Sequence, residues 1–182
     1  MDEVIRLYRE SARSDRRARP GFGGGYILTD RSSGKLIAIA PWETGADMLA
    51  ATPRGYVDAV TGEPPAWEVY EVGADVGAIL EGGETRSARV NYIQVQPGKM
   101  DDLIRIFQDS VVPVLQQLQG FKKELILADR DTDKVFVVPL WETEADMIAS
   151  ETSGWLQESF ANYVGVFAGP PVTEHYEVSM VF

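Results

Sequence analysis

One sequence unit is used twice in this chain. GFGGGYILTDRSSGKLIAIAPWETGADMLAA, starting at Gly21, returns as GFKKELILADRDTDKVFVVPLWETEADMIAS, starting at Gly120, an offset of 99 residues. The same offset pairs MDEVIRLYRES (1–11) with MDDLIRIFQDS (100–110), and residues 1–51 share 19 identities with 100–150 without a gap. Past Gly55 and Gly154 the spacing changes. EPPAWEVYEV ends at Val72 and GPPVTEHYEV ends at Val178, so the second copy carries seven more residues before its last strand. A fixed period longer than one helix or strand means two copies of one supersecondary unit.

The repeat lets each element be read twice. ARVNYIQVQPG (88–98) alternates and is rich in β-branched and aromatic residues, which predicts a strand ended by Gly98. Residues 100–119 carry apolar side chains at Leu103, Ile104, Phe107, Val111, Val114, Leu115 and Leu118, the spacing of an amphipathic helix. Pro113 should kink it and Gly120 should stop it. Glu124–Ala128 and Lys134–Leu140 read as strands joined by the turn Asp129–Asp133, whose counterpart is Asp30–Gly34. W-E-T-x-A-D-M then opens a helix in both copies, with Thr44 or Thr143 as N-cap and Asp47 or Asp146 at N3. His175–Phe182 closes the second unit, and Trp67–Val72, running toward Leu80, closes the first. The order β-α-β-β-α-β is the ferredoxin-like split βαβ. The expected fold is α+β: two tandem ferredoxin-like repeats, residues 1–80 and 87–182, whose sheets can lie face to face within one chain, the dimeric α+β barrel-type arrangement that the resemblance described below implies. Met1 aligns with Met100, so a strand equivalent to 88–98 is missing from the first copy. A start farther upstream, residues 73–86, or a strand from another chain would supply it.

Composition narrows the function. With no Cys and a single His, disulfides, thiolate chemistry, Fe–S clusters and a His-rich metal site within one chain are excluded. Lys plus Arg is 17 against 28 Asp plus Glu, a net charge of −11, which disfavours nucleic acid and anionic membranes as partners. Arg13, Arg16, Arg17 and Arg19 form a small basic cluster that reads as a solvated helix end. The longest apolar runs, Leu36–Trp42 and Val135–Trp141, are far short of a membrane span. The N-terminus has no signal-peptide core, and the expected location is cytoplasmic. GFGGGY (21–26) follows a helix and opens a strand, the reverse of a nucleotide-binding loop, so it reads as a bulge.

The pattern resembles the dimeric α+β barrel superfamily, and within it the antibiotic-biosynthesis-monooxygenase-like domains. The resemblance rests on VQPGKMDDLIRIF, on the Pro-bearing helix ending in Q-G-F, and on the strand running into W-E-T-E-A-D-M. It covers 88–182 well and 1–72 as a shortened copy. It implies a cofactor-independent monooxygenase acting on a quinol or polyphenolic aromatic, with no metal, in which the substrate carbanion itself reduces O₂. Asn91 is then the expected enolate donor and His175 a candidate base. Trp155, Tyr163, Phe107 and Arg105 are the expected substrate-binding residues, with Phe160 and Phe167 extending the aromatic stripe. In haem-degrading relatives an Asn sits like Asn91 beside a His on the second helix, and residues 143–167 hold no His. The residues also fit a non-catalytic barrel that binds a small apolar molecule or a protein chain, and, more weakly, an isomerase or lyase for a small lactone. A monomeric pseudo-dimer and a homodimer of such chains are both compatible with the repeat.

Overall fold

A glycine with positive φ turns the chain into a strand at the same place in each repeat. Gly21 (φ 73°) and Gly120 (φ 74°) adopt a conformation costly for any side chain. A Cβ at either would run into the carboxylate of Asp47 or Asp146. Those carboxylates are held by the helix caps. Asp47 N donates to Thr44 Oγ1 and Asp146 N to Thr143 Oγ1, both at 3.1 Å, while each hydroxyl donates back to its Asp side chain. Glu43 N and Glu142 N in turn donate to the carbonyls of Gly21 and Gly120, both at 2.7 Å. The sequence repeat is thus a repeat of individual hydrogen bonds. Thr143→Ala removes one cap, and thermal unfolding should show a loss of about 1 kcal/mol.

The computed structural model describes residues 1–11, 20–51, 66, 68–78, 87–161 and 163–182. They form two units, Met1–Glu68 with Val178–Phe182, and Val69–Glu177. In the first, helix α1 (Asp2–Ser11) precedes the antiparallel pair β1 (Tyr26–Asp30) and β2 (Lys35–Ile39), followed by α2 (Gly45–Ala51). Ile5, Ile27, Met180 and Phe182 make its core. The C-terminal segment lies along β1: Gly25 N donates to Phe182 O, Phe182 N to Gly25 O, and Thr29 Oγ1 lies 2.6 Å from Ser179 Oγ. The ring of Phe182 fills the space a side chain at Gly25 would need. The predicted turn is present, with Asp30 accepting from the backbone and hydroxyl of Ser32 and from Ser33. These donors hold its carboxyl well below the usual range.

The second unit contains β3 (Glu71–Gly77), β4 (Ser87–Gln94), α3 (Met100–Ile106), a π-helical turn (Phe107–Val111), α4 (Val112–Leu115), β5 (Phe121–Asp129), β6 (Lys134–Trp141), α5 (Glu144–Thr152), α6 (Trp155–Ala161) and β7 (Val172–Val181, its last four residues in the first unit). Its strand order is β7-β4-β6-β5-β3, with antiparallel neighbours throughout. The first four strands have the ferredoxin-like arrangement. One face packs on the helices through Ile93, Leu103, Phe107, Ile126, Val137 and Trp141. The other carries Tyr92 edge-on to Phe136.

Three expectations change. The closing strand of the first repeat lies at 71–77 and pairs with β5, outside the first unit; Trp67 and residues 79–86 lie outside the described residues. Residues 73–77 therefore do not supply the missing strand. The β4–β7 ladder runs from Tyr92↔Val172 to Ser87↔Glu177, where β4 begins, so the rest of β7 overhangs and lies along β1. The long helix is interrupted before Pro113. Val112 N bonds to Phe107 O, a π-type bond that takes up one extra residue ahead of the proline, which lacks its own donor. Leu103, Phe107, Val111 and Leu115 keep the buried face, whereas Val114 turns out to solvent. The cluster Arg13, Arg16, Arg17 and Arg19 lies outside the described residues.

Candidate functional site

The π turn places Phe107 and Val111 over a cavity of about 30 Å³, partly open at its mouth, between the helices and the sheet of the second unit. Its walls are mostly apolar: Ile93, Leu103, Leu115 and Val137 join Phe107 and Val111. Tyr163 and Phe167, which follow α6, stack at 4.8 Å and 10° on another side, next to Trp155.

Polar groups interrupt this lining. Alternation on β4 points Arg89, Asn91 and Ile93 the same way, toward the helices. Asn91 is buried; its Oδ1 accepts from Thr173 Oγ1 at 3.0 Å, and its Nδ2 reaches the Val137 carbonyl only at 3.4 Å. Arg89 is 2% exposed, and its Nη1 donates to Ser150 Oγ (3.1 Å) and Glu151 Oε1 (3.2 Å) of α5. Its Nε has no partner. Across the cavity, Glu124 on β5 is 1% exposed, and both its carboxyl oxygens are without a partner. Tyr163 Oη and Trp155 Nε1 are also buried and unpartnered. Buried polar atoms are nearly always hydrogen-bonded, so four lining residues with orphan atoms around one cavity are an unusual concentration.

Electrostatics sets the protonation. Burial pushes the Glu124 carboxyl up to about 8, against the pull of Arg89, so it is neutral at pH 7. Burial, and then Glu124, push the Tyr163 hydroxyl above the ordinary tyrosine range, so it stays a phenol. The cavity thus offers a fixed cation, a neutral carboxyl that can ionise near physiological pH, and indole, phenol and amide N–H or O–H groups.

The expected site residues divide. Asn91, Phe107, Trp155 and Tyr163 line this cavity together. Arg105 does not: it lies two residues past Leu103, on the opposite face of α3, pairs with Asp102 at 3.0 Å and is exposed. His175 does not line it either. It stands opposite Arg89 in the β4–β7 register, but Glu151 intervenes, with His175 Nε2 2.8 Å from Glu151 Oε1. The side chain of Phe160 lies outside the described residues. Arg89 and Glu124 are the residues that sequence reasoning missed. Arg89 shares the period-two phase of Asn91 and Ile93, and Glu124 that of Ile126 and Ala128, so the signal was present in both strands.

Residues 87–162 match the antibiotic biosynthesis monooxygenase family. They hold all the cavity-lining residues except Tyr163 and Phe167. An uncharacterized protein of Mycobacterium tuberculosis (strain H37Rv) is 31% identical over 113 residues, covering 59% of this chain and 50% of that one. This chain spans about half the length of the curated relatives it matches. Among solved structures, a candidate monooxygenase from Fusobacterium nucleatum is similar with a TM-score of 0.74 at 12% identity, over 99% of this chain and 86% of that one. An anthrone oxidase-like protein gives 0.69 at 16% identity, over 100% and 88%. At such identities the likeness concerns the fold. Among the described residues no helix is long and apolar enough to cross a membrane.

Proposed function

We propose that the cavity of the second unit binds a small aromatic quinol, phenol or anthrone and catalyses its monooxygenation by O₂ without a cofactor. The observation that carries this reading is the cavity's lining: mostly apolar and aromatic walls, with orphan donors on Arg89 and Trp155. The family match supports the reaction class. In an anthrone-like substrate, loss of a proton from the ring CH₂ gives an enolate. The enolate passes electrons to O₂, a C–O bond forms, and one oxygen atom stays as the new carbonyl while the other leaves as water with the two CH₂ hydrogens. Donors preorganised around the enolate oxygen in a water-poor site lower that barrier. Asn91 supplies one such donor because its N–H is only loosely held by Val137. Trp155, Tyr163 and Phe107 hold the ring.

Dissolved-oxygen consumption by purified protein with hydroquinones and anthrones, without added metal or flavin, tests the reading. Uptake is expected. Asn91→Ala should slow it roughly tenfold, the worth of one neutral hydrogen bond. Unchanged turnover and affinity in Asn91→Ala would remove Asn91 from the site. Absence of uptake across the panel, with a ligand still bound in the cavity, would favour a binding module instead.

A further inference from the structure

We infer that Glu124 is the base that takes the acidic proton from the bound substrate and that Arg89 holds the oxyanion so formed, an assignment that rests on the aromatic-ligand reading above. An oxygenation driven by substrate electrons needs the substrate as an anion, so some group on the cavity wall must accept a proton. Asn91 and Trp155 have no basic atom to offer. Tyr163 is held as a phenol. His175 faces Glu151 outside the lining. Glu124 is the carboxylate among the lining residues, buried with both oxygens unpartnered.

The charge balance fits this step. Before transfer the ionised carboxylate of Glu124 is the anion opposite Arg89. The substrate C–H bond then breaks, its electron pair moves onto the carbonyl oxygen, and the proton bonds to the carboxylate. The anion is now the enolate oxygen, again beside the guanidinium, whose Nε is unpartnered. One cation and one anion are buried before and after, so no new charge separation is created in a medium of low dielectric. The polar groups that line the cavity with Glu124 are Arg89 and Asn91 from β4, Trp155 from α6 and Tyr163 beyond it; Glu151 pairs with Arg89, and His175 with Glu151. The carboxyl's elevated range, near 8, makes it a stronger base than a surface glutamate and places its ionisation where activity can be followed.

Proton abstraction can be separated from oxygen chemistry. Anthrone incubated without oxygen in heavy water exchanges its CH₂ hydrogens only as fast as the enolate forms, and proton NMR reads the loss. The wild-type protein is expected to accelerate exchange, with a rate that rises as pH passes about 8. Glu124→Gln should slow exchange by roughly 10²-fold or more and abolish that pH limb, and Glu124→Asp should restore part of both. Melting curves confirm that the variants are folded. Equal exchange by Glu124→Gln and wild type, or no acceleration by the wild type, would overturn the assignment. Oxygen consumption distinguishes the two readings. Exchange without oxygen uptake leaves Glu124 as a base and removes the oxygenase. Uptake that ignores Glu124→Gln keeps the oxygenase and removes the base.

Discussion

Glu124→Gln should melt roughly 10 °C above the wild type at pH 8 and almost together with it at pH 5. The carboxyl is buried without a hydrogen bond, and its charged form is disfavoured in the folded protein, whose pKa lies near 8 against 4.5 for an ordinary glutamate. Between those two values the folded chain holds a proton that the unfolded chain has lost. Stability therefore falls as pH rises through this window, and the wild type forfeits on the order of 4 kcal/mol by pH 8. Gln has the same shape and no charge to bury, so its stability does not follow this slope. The gap between the two proteins should open steadily from pH 5 upward, read by thermal or denaturant unfolding. Parallel curves would mean that Glu124 is ionised and paired in the folded state. A residue kept at such cost for stability is the kind found where a reaction needs it.

Much of the fold was legible because the repeat supplied two independent copies of each turn and cap. The Gly–Phe corner, the Asp turn and the W-E-T cap are short-range features, fixed by a few adjacent residues, and each appears in both units with the same bonds. The partners of the closing strands were not legible. Glu71–Gly77 and the tail of β7 choose partners far away in sequence, and alternation tells which face a strand buries but not which edge it joins. The π turn was also hidden, since an i, i+4 pattern does not show where one extra residue is accommodated.

The cavity was half legible. Asn91, Phe107, Trp155 and Tyr163 stood out as aromatic residues or as a lone amide on an apolar face. Glu124 sits in FKKELILAD, where two lysines make the strand start look like a solvated edge. The repeat held the clue: the residue aligned with Glu124 is Gly25, and there Phe182 occupies the space above the backbone. A position that is packed over in one copy and opens onto a cavity with a carboxyl in the other marks where the two copies have diverged in role. Arg89 was passed over for a related reason. A cation within a strand core looks like an error of phase until Ser150 and Glu151 on α5 are seen to receive it.

Arg89→Met should lower the oxygenation rate by about 10²–10³-fold with a much smaller change in KM, as expected when a donor acts mainly on the charge developing in the transition state. The effect exceeds that of Asn91→Ala because the lost donor is charged, and a charged hydrogen bond in a buried site is worth about twice a neutral one or more. The helix behind it should stay in place: Ser150 Oγ still donates to Met147 O at 2.6 Å, and Glu151 still faces His175. A second consequence is independent of turnover. Arg89 is the group whose charge pulls the Glu124 carboxyl downward, so its removal should leave the onset of the pH-dependent loss of stability in place while extending the loss to higher pH and enlarging it. The two signals should move together in Arg89→Met, and Arg89→Lys, which keeps charge but loses the guanidinium Nε, should correct the pH shift more fully than the rate. Adding Glu124→Gln to Arg89→Met should cost little further rate, because both residues serve one proton transfer and its oxyanion, and residues that act as a unit are not additive. Full additivity in that double variant would mean that Arg89 stabilises the fold and Glu124 acts alone.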